Sequence, residues 1–373
     1  MVLHEGVCDC SLCVVVFFKK TNFIIYKGDG MKDEISVMAF TQGDKVPSTR
    51  FRVDYLKRGL EAKNIKIHVS NAYESAYPPS ARAQRLIWII KEFCSRLFGV
   101  CKSFKYDVVI LQREMISTIP TLERFTKRPR ILDVDDAIWL HRNGWAVEQI
   151  TKRVDHIVCG NSYIADYFRK FGKPMTIIAT PVDVDRFRPL KKDFAAKIIG
   201  WSGTSGGFKF LYDIEDALAQ VLKENKGWKL RIVSDQRPRF DKIPGEAVEF
   251  VQWAVENEVS SIATMDIGLM PLDDTEWSRG KCSYKMLLYM ACGIPIVVSD
   301  FGMNSEILKN GFIGYGVVTP AEWYQSLNAL INNPLDRDRA GQHARDVIVN
   351  KYSQHQAVNE WERIIRETVE KSS

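Results

Sequence analysis

The sequence lacks the features that mark several large classes of protein. It has no long uncharged apolar run, so we predict no membrane-spanning helix. Its formal charge of +6 is small for 373 residues, which disfavours nucleic-acid binding but suits phosphorylated ligands or an anionic membrane surface. Beyond residue 13 the cysteines are scattered, at Cys94, Cys101, Cys159, Cys282 and Cys292. This odd set of isolated thiols indicates a reducing cytoplasm rather than a disulfide framework.

The first thirty residues differ in character from the rest of the chain. A signal peptide would place basic residues before its apolar run, whereas Lys19 and Lys20 follow it, and no small-residue cleavage site is evident. The three cysteines of this segment have no fourth ligand at metal spacing, so we predict no metal site. The codons for residues 27–30 can contain a purine-rich ribosome-binding sequence. We therefore expect residues 1–30 to be a non-native or disordered leader before Met31.

Length and the alternation of segments predict a two-domain α/β protein. A chain of 373 residues exceeds the size at which one hydrophobic core stops growing. Short apolar runs alternate with helical patterns, as in parallel sheets. Strands are predicted at residues 35–40, 65–69, 107–111, 130–134, 156–159, 176–179, 197–201, 228–233, 248–251, 267–272 and 296–299. The polar segment 183–197 is the best linker candidate, and ligands are expected beyond the carboxyl ends of the strands.

Residues 266–300 carry the strongest local indication of a ligand, in a predicted strand, loop, helix and strand. Arg279, Lys281 and Lys285 fall in the loop and first helical turn. The helix N-terminus carries partial positive charge and disfavours cations there by roughly 0.3–1 kcal/mol each. Gly280 allows an anion to approach the backbone closely. This pattern indicates a phosphate site; the alternative is that the long basic side chains point into water.

Residues 81–105 are predicted to form a basic amphipathic helix. Its apolar positions include Trp88, Phe93, Leu97 and Phe98. Such a helix is able to lie in a lipid interface. A helix that connects parallel strands also needs an apolar stripe to cover the sheet. We therefore favour packing against the sheet and keep a peripheral membrane contact as the alternative.

An ordered set of motifs resembles the retaining glycosyltransferases of family 4. The motifs are VPSTRFRV (46–53), YDVVILQRE (106–114), ILDVDDAIW (131–139), TPVDVDRFRP (180–189), IIGWSGT (198–204), DIGLMPL (266–272) and GKCSYKMLLYMACGIPIVVS (280–299). The resemblance implies the GT-B fold, an α/β architecture of two Rossmann-like parallel-sheet domains facing each other across a cleft. It places an N-terminal acceptor domain at 31–193, a C-terminal nucleotide-sugar domain at 194–351 and a helix at 352–373 that crosses back.

The resemblance also implies a donor site in the C-terminal domain. Members transfer a sugar from a nucleotide diphosphate to an acceptor hydroxyl, usually without a metal. The donor-binding candidates at matching positions are Ser202, Gly203, Thr204, Arg279, Gly280, Lys281, Cys282, Ser283, Lys285 and Leu288. The family's two glutamates fall on Gly280 and Leu288, so the carboxylates that hold the sugar hydroxyls and the ribose are missing. The loop at 202–204 also lacks its usual basic pair, and a plain turn is its alternative interpretation. Donor recognition must therefore differ.

Asp135 and Asp136 match a histidine–aspartate pair of the family at the end of a strand, and they are our catalytic candidates. Adjacent carboxylates could orient an acceptor hydroxyl or act as a base, and their proximity should raise one pKa. The alternative is that Asp136 caps the next turn and Asp135 is solvated. Gly43 and Arg50 are predicted on the acceptor side. Arg50 and Arg52 alternate and cannot share a helix face, so we expect one in the cleft and one in water.

The resulting expectation is a cytoplasmic, retaining, metal-independent glycosyltransferase of surface or cell-wall polysaccharide synthesis. Its partners would be a nucleotide-sugar donor and a glycan or lipid-linked acceptor, with no cofactor besides the substrate and no nucleic acid. Two alternatives keep the fold. One is a catalytically inactive subunit that binds nucleotide or glycan, which Gly280 and Leu288 make credible. The other is a nucleotide-sugar epimerase.

Overall fold

The computed structural model describes residues 33–44, 46–73, 79, 81–116, 118–190 and 196–372, with the side chains of residues 82 and 83 left out. Residues Glu34–Ser373 make one compact unit. The leader expected at residues 1–30 lies outside the described part of the chain, so that assignment stays a prediction.

The first half of the described chain forms a six-stranded parallel sheet. Its strands are β1 (Ile35–Phe40), β2 (Ile65–Ser70), β3 (Val108–Gln112), β4 (Arg130–Val134), β5 (His156–Cys159) and β6 (Met175–Ile177). They pair in the order β2-β1-β3-β4-β5-β6. Each strand predicted for this half is confirmed. The central strands β3, β4 and β5 are buried along their whole length, as short apolar runs in a parallel sheet should be.

The second half forms another six-stranded parallel sheet. Its strands are β7 (Ile198–Ser202), β8 (Lys229–Ser234), β9 (Val248–Gln252), β10 (Ile267–Met270), β11 (Ile296–Ser299) and β12 (Gly314–Val317). Their order is β12-β11-β10-β7-β8-β9. The sequence pattern does not predict β12, since the strand contains two glycines and is largely accessible at the edge of the sheet. The predicted α/β class with two parallel sheets is confirmed.

Helices connect the strands on both faces of each sheet. They are α1 (Pro47–Thr49), α2 (Tyr55–Glu61), α3 (Arg82–Ser103), α4 (Trp145–Thr151), α5 (Ser162–Phe168), α6 (Phe208–Tyr212), α7 (Glu215–Glu224), α8 (Glu258–Ala263), α9 (Glu276–Arg279), α10 (Tyr284–Ala291), α11 (Gly302–Leu308), α12 (Pro320–Asn332), α13 (Pro334–Val347) and α14 (Gln354–Glu370). A π-helical segment, Arg50–Asp54, joins α1 to α2. Within the described residues, no helix is long and apolar enough to cross a membrane.

The last helix packs on the first sheet although it follows the second in the chain. Ser353 begins α14 as its N-cap, since its side chain accepts a hydrogen bond from the backbone of Gln356. Trp361 and Ile365 of this helix share a buried cluster with Ile35 of β1. The C-terminal helix therefore ties the end of the chain to its beginning. The expected domain bounds stay a prediction.

The start of the predicted linker is packed rather than free. Val184 and Phe187 are buried. The guanidinium of Arg345 donates to the carbonyl oxygens of Val184 at 2.8 Å and of Phe187 at 2.6 Å. These bonds fix residues 184–187 against α13, so the connection leaves the first half along a defined path.

Helix α3 is oriented differently from expectation. Its buried side carries Trp88 together with the ion pair of Glu92 and Arg96, in which Arg96 Nε donates to Glu92 Oε1 at 2.7 Å. Phe93 and Phe98 are exposed. Trp88 is buried as expected, but the prediction that Phe93, Leu97 and Phe98 cover the sheet is wrong, because hydrogen-bonded charges occupy part of the inward face.

Candidate functional site

The two sheets share a cleft because their strand orders reverse at corresponding points. In the first sheet the order reverses between β1 and β3, and in the second between β7 and β10. At such a reversal the loops leaving neighbouring strands diverge, and a crevice opens beyond the carboxyl ends. The loops after β1, β3, β4, β7 and β10, with the start of α10, line a cleft of about 610 Å³.

Seven predicted site residues line this cleft. They are Asp135, Asp136, Thr204, Lys281, Cys282, Ser283 and Lys285. Sequence reasoning did not single out other lining residues: Ser48, Phe51, Arg113, Thr180, Gly206, Gly207, Phe210 and Tyr284. The carboxylates come from the first half of the chain and the lysines from the second. One wall of the cleft therefore carries carboxylates and the opposite wall carries lysines.

The acidic pair is held by an arginine from the neighbouring strand end. Arg113 follows β3, and its Nε donates to Asp135 Oδ1 at 2.6 Å. Its Nη2 donates to Asp136 Oδ2 at 2.5 Å. Arg113 has a left-handed φ of 60°, a conformation that costs a non-glycine residue on the order of 1–3 kcal/mol. This turn directs the guanidinium toward both carboxylates and so fixes their positions in the wall.

Asp136 is the more accessible member of the pair, with a side chain 25% exposed. Burial raises the pKa of Asp136; Arg113 and Lys281 oppose this rise, and the charge of Asp135 adds to it. The expectation that adjacency raises one pKa is correct in direction, but burial is the larger cause. A carboxylate with a raised pKa beside open space is suited to accept a proton.

Lys285 forms the opposite wall, where its ammonium lies against the loop after β7. A Cβ atom at Gly203 would lie 2.3 Å from Lys285 Nζ, so glycine leaves the space that the ammonium occupies. Lys285 Nζ is 4.5 Å from the centre of the Trp201 ring. Burial, together with the smaller effect of the nearby charge of Lys281, lowers the pKa of Lys285 to about 8. An anion in the cleft would stabilise the charged form of this lysine.

Arg279 lies away from the cleft. It is in the last turn of α9, where the helix dipole favours a cation, and not in the loop or first turn of the next helix as expected. Its Nε donates to Asp274 Oδ1 at 2.6 Å, and both side chains are about half exposed. Lys281 remains in the cleft wall, with Nζ 5.6 Å from the centre of the Trp277 ring.

Gly280 is in close contact with the first half of the chain. A Cβ atom at this position would lie 2.6 Å from Ala137 Cβ and 2.8 Å from Ala137 N. The side-chain amide of Asn161 donates to the carbonyl oxygens of Gly280 at 3.3 Å and Lys281 at 3.0 Å. The backbone after β4 therefore takes the space that a longer side chain at position 280 would need.

We expect Gly280→Ala to lower the free energy of unfolding by about 1–3 kcal/mol, as overpacking against backbone does. Urea unfolding followed by circular dichroism measures this. Gly206→Ala is the matched control, because a Cβ atom there meets nothing closer than Thr204 Oγ1 at 3.9 Å. Equal stability of the two variants would show that the contact between residues 280 and 137 is not made in solution.

Three other donor-binding candidates are held by contacts within the protein. Leu288 is 4% exposed and belongs to the core, so it does not reach the cleft. Ser202 is buried, and its backbone N–H donates to the hydroxyl of Tyr289 at 2.7 Å. Cys282 lines the cleft, but burial raises the pKa of its thiol far above the ordinary range. It therefore stays protonated and donates to Asp135 O at 3.1 Å.

The acceptor-side candidates Gly43 and Arg50 lie in the segment after β1 but do not line the cleft. Arg50 is half-buried, with its guanidinium carbon 4.6 Å from the centre of the Phe51 ring. Arg52 does not reach water. It is 2% exposed, and its Nε donates to Asp133 Oδ2 at 2.9 Å. The expected division of these arginines between cleft and solvent is therefore wrong.

Ser48 is the most informative of the residues that sequence reasoning missed. Its hydroxyl oxygen is buried in the cleft wall, and no hydrogen-bond partner is found for it among the described residues. Nearby, the rings of Phe51 and Tyr284, which both line the cleft, are in contact with centroids 4.1 Å apart and planes tilted by 31°. Ser48 lies in the motif VPSTRFRV and Arg113 in YDVVILQRE, so their motifs were visible in the sequence but their roles were not.

Groups of three or more side chains able to hold a metal ion are not found in the described part of the chain.

In sequence, a known protein family matches the second half of the chain. The family model described as "Glycosyl transferases group 1" matches residues 197–333. Glucosyltransferase 3 of Streptococcus parasanguinis is 21% identical over 244 residues, which cover 60% of this chain and 69% of that protein. Spore coat protein SA of Bacillus subtilis (strain 168) is 26% identical over 101 residues, 26% of either chain.

Solved structures agree with the whole described fold. Sucrose-phosphate synthase from Thermosynechococcus elongatus matches with a TM-score of 0.67 at 12% identity, covering 91% of this chain and 100% of that one. Anabaena HepE in complex with UDP and glucose matches with a TM-score of 0.66 at 13% identity, covering 90% and 100%. WaaG, a glycosyltransferase involved in lipopolysaccharide biosynthesis, matches with a TM-score of 0.61 at 14% identity, covering 89% and 99%.

The fold is that of the GT-B glycosyltransferases. Within it, the sheet that contributes the lysines is the part that matches the group 1 glycosyltransferase family.

Proposed function

We propose that this protein is a glycosyltransferase that moves a sugar from a nucleoside diphosphate sugar to a hydroxyl of a glycan or lipid-linked acceptor. The transfer retains the anomeric configuration and needs no metal ion. The enzyme works in the cytoplasm, in the synthesis of surface or cell-wall polysaccharide. The match to group 1 glycosyltransferases and the GT-B fold support the reaction class.

The observation that carries the proposal is the opposition of charges across one cleft. Lys285 and Lys281 stand on the side of the Gly203–Gly207 loop, and Asp135 and Asp136 stand on the other side. Two cations beside the N-terminus of α10 suit a diphosphate, whose charge grows as it leaves the sugar. The carboxylates suit an acceptor hydroxyl that must lose a proton.

Donor recognition in this proposal departs from the family pattern. Gly280 and Leu288 offer no carboxylate to the sugar or the ribose. The unpartnered hydroxyl of Ser48 and the guanidinium of Arg113 are polar groups of the same cleft that can serve sugar hydroxyls. Because HepE was solved with UDP and glucose, uridine diphosphate is the first nucleotide to test.

The test combines binding and turnover. Thermal unfolding in the presence of UDP, GDP or ADP should show stabilisation by one nucleotide, about 2.7 kcal/mol at a hundredfold excess over its Kd. The matching nucleotide sugar should then release that nucleotide when acceptor is supplied, with and without a chelator. Loss of nucleotide release in the presence of the chelator would contradict the proposed metal independence. NMR of the anomeric configuration of the product tests whether the transfer proceeds with retention.

A second candidate is a binding subunit without turnover, which the absence of both family carboxylates at Gly280 and Leu288 favours. It predicts stabilisation by nucleotide but no release of nucleotide from any donor. A sugar that changes its configuration without being transferred would instead identify an epimerase.

A further inference from the structure

The outward face of α3 is the largest concentration of exposed apolar side chains in the described chain. Leu86 is 66% exposed and Phe98 is 73% exposed. The exposed large apolar side chains of this region are Leu86, Ile87, Ile89, Ile90, Phe93, Leu97, Phe98 and Phe104. Positions 86, 90, 93 and 97 follow the spacing of one helix face and span about 17 Å along the axis. The structure therefore leaves a continuous apolar face without a protein partner among the described residues.

The inward face explains why the helix cannot rotate to bury these residues. Arg96 is fully buried, and its guanidinium donates to the carbonyl oxygens of Ser70 at 3.0 Å, Thr41 at 2.7 Å and Met115 at 3.0 Å. Glu92 accepts from Arg96 and from the backbone N–H of Tyr73 at 2.7 Å. Rotation would leave a buried charge unpaired, at a cost of several kcal/mol. The apolar face is thus held outward by polar contacts.

The charges around the face indicate what covers it. The one carboxylate of the helix, Glu92, is buried, whereas Lys91 and Lys102 flank the apolar face three turns apart and Lys105 follows. A second copy of the chain docked face to face would bring these like charges together. Anionic lipid headgroups would instead neutralise them while the apolar side chains enter the acyl region.

We propose that α3 docks the protein on an anionic membrane surface, lying in the plane of the lipid interface. Arg96 donates to carbonyl groups at the end of β2 and beyond the ends of β1 and β3, so the part of the helix N-terminal to it projects past the carboxyl edge of the first sheet. Leu86, Ile90 and Phe93 therefore lie on the side of the sheet where the cleft opens. Docking itself is independent of the proposed function. A further step rests on the proposed function: docking on a membrane favours a lipid-linked acceptor as the substrate.

The experiment is co-sedimentation of the full chain with phosphatidylcholine vesicles and with vesicles containing phosphatidylglycerol. The wild type should bind the anionic vesicles, and binding should weaken with salt. Ile90→Ser/Phe93→Ser/Phe98→Ser should lower the partition coefficient roughly tenfold or more, since all three side chains are exposed and are free to change without disturbing the core. The matched control is Val318→Ser/Leu335→Ser, which removes equally exposed apolar groups elsewhere and should bind as the wild type does.

A second variant isolates the electrostatic part. Lys91→Gln/Lys105→Gln should lose most of the preference for anionic over neutral vesicles. Equal binding of wild type and triple variant, or no binding to anionic vesicles, would overturn the proposal. A concentration-dependent dimer in sedimentation velocity that the triple variant abolishes would assign the face to a second copy instead. Nucleotide stabilisation should be the same in all these variants, so failure of the proposed function is distinguishable from failure of docking.

Discussion

Lys285→Met is expected to weaken binding of the matching nucleoside diphosphate by roughly ten- to a hundredfold and to leave nucleoside binding nearly unchanged. The lost contact is a charged hydrogen bond to phosphate, worth about 1.5–3 kcal/mol. Methionine keeps the volume that packs on Trp201 and leaves the cleft shape intact. Isothermal titration calorimetry with both ligands measures the two affinities. Lys281→Met should act in the same direction.

The control for this substitution is Lys209→Met. Lys209 belongs to the same half of the chain, but its Nζ donates to Asp273 Oδ2 at 2.9 Å on the exposed surface. Its loss should leave diphosphate affinity unchanged. Equal weakening of nucleoside and diphosphate by Lys285→Met would mean a general distortion of the site. If neither the nucleoside affinity nor the diphosphate affinity falls, Lys285 does not bind the phosphate groups.

The same lysine gives a pH dependence of known sign. Burial lowers its pKa from 10.5 to about 8, so the folded protein binds fewer protons than the unfolded chain between these values. Stability should therefore rise with pH across that window, and this slope should be absent in Lys285→Met. Diphosphate stabilises the charged lysine, so affinity should fall as the pH rises above about 8. Calorimetry in two buffers of different ionisation enthalpy should detect proton uptake on binding near that pH.

Asp136→Asn is expected to reduce sugar transfer by about 10²–10⁴-fold if this carboxylate is the base, with nucleotide affinity near that of the wild type. The side chain faces the cleft opposite the lysines, and burial raises its pKa toward a value useful for proton transfer. Asp135→Asn should also slow transfer, because Arg113 would lose one of the two carboxylates that fix its position. Initial rates of nucleotide release and separate binding titrations distinguish the two effects.

Asp274→Asn is the matched control for the acidic pair. This carboxylate is also bound by an arginine, Arg279, but it is half exposed and away from the cleft. The Asp274→Asn variant should transfer sugar at the wild-type rate. If both Asp135→Asn and Asp136→Asn also keep full activity, the acidic pair serves only to anchor Arg113, and the catalytic assignment is wrong.

The local elements, and the edge of the sheet where the site lies, follow from the order of the residues alone. Short buried runs such as 130–134 and 296–299 predict strands because their apolar character is continuous and local. Residues that directly follow these runs must lie at carboxyl ends, which is why Asp135 and Asp136 were identified as cleft residues, whereas Lys285 was identified from its place in the first turn of a helix. The family resemblance added the pairing of two sheets, which the solved structures support.

Features that depend on contacts between distant segments follow only from the folded chain. The pairing of β3 with β4 brings Arg113 to the acidic pair, and the reversal between β7 and β10 brings Gly203 to Lys285; no local pattern encodes strand order. Gly280 is confined by Ala137, more than a hundred residues earlier in the chain. Helix α3 shows the same limit, because an amphipathic pattern identifies an apolar face but not the direction it takes. Here the hydrogen bonds of Arg96 to three strand ends outweigh the hydrophobic preference, and the apolar face is left outward.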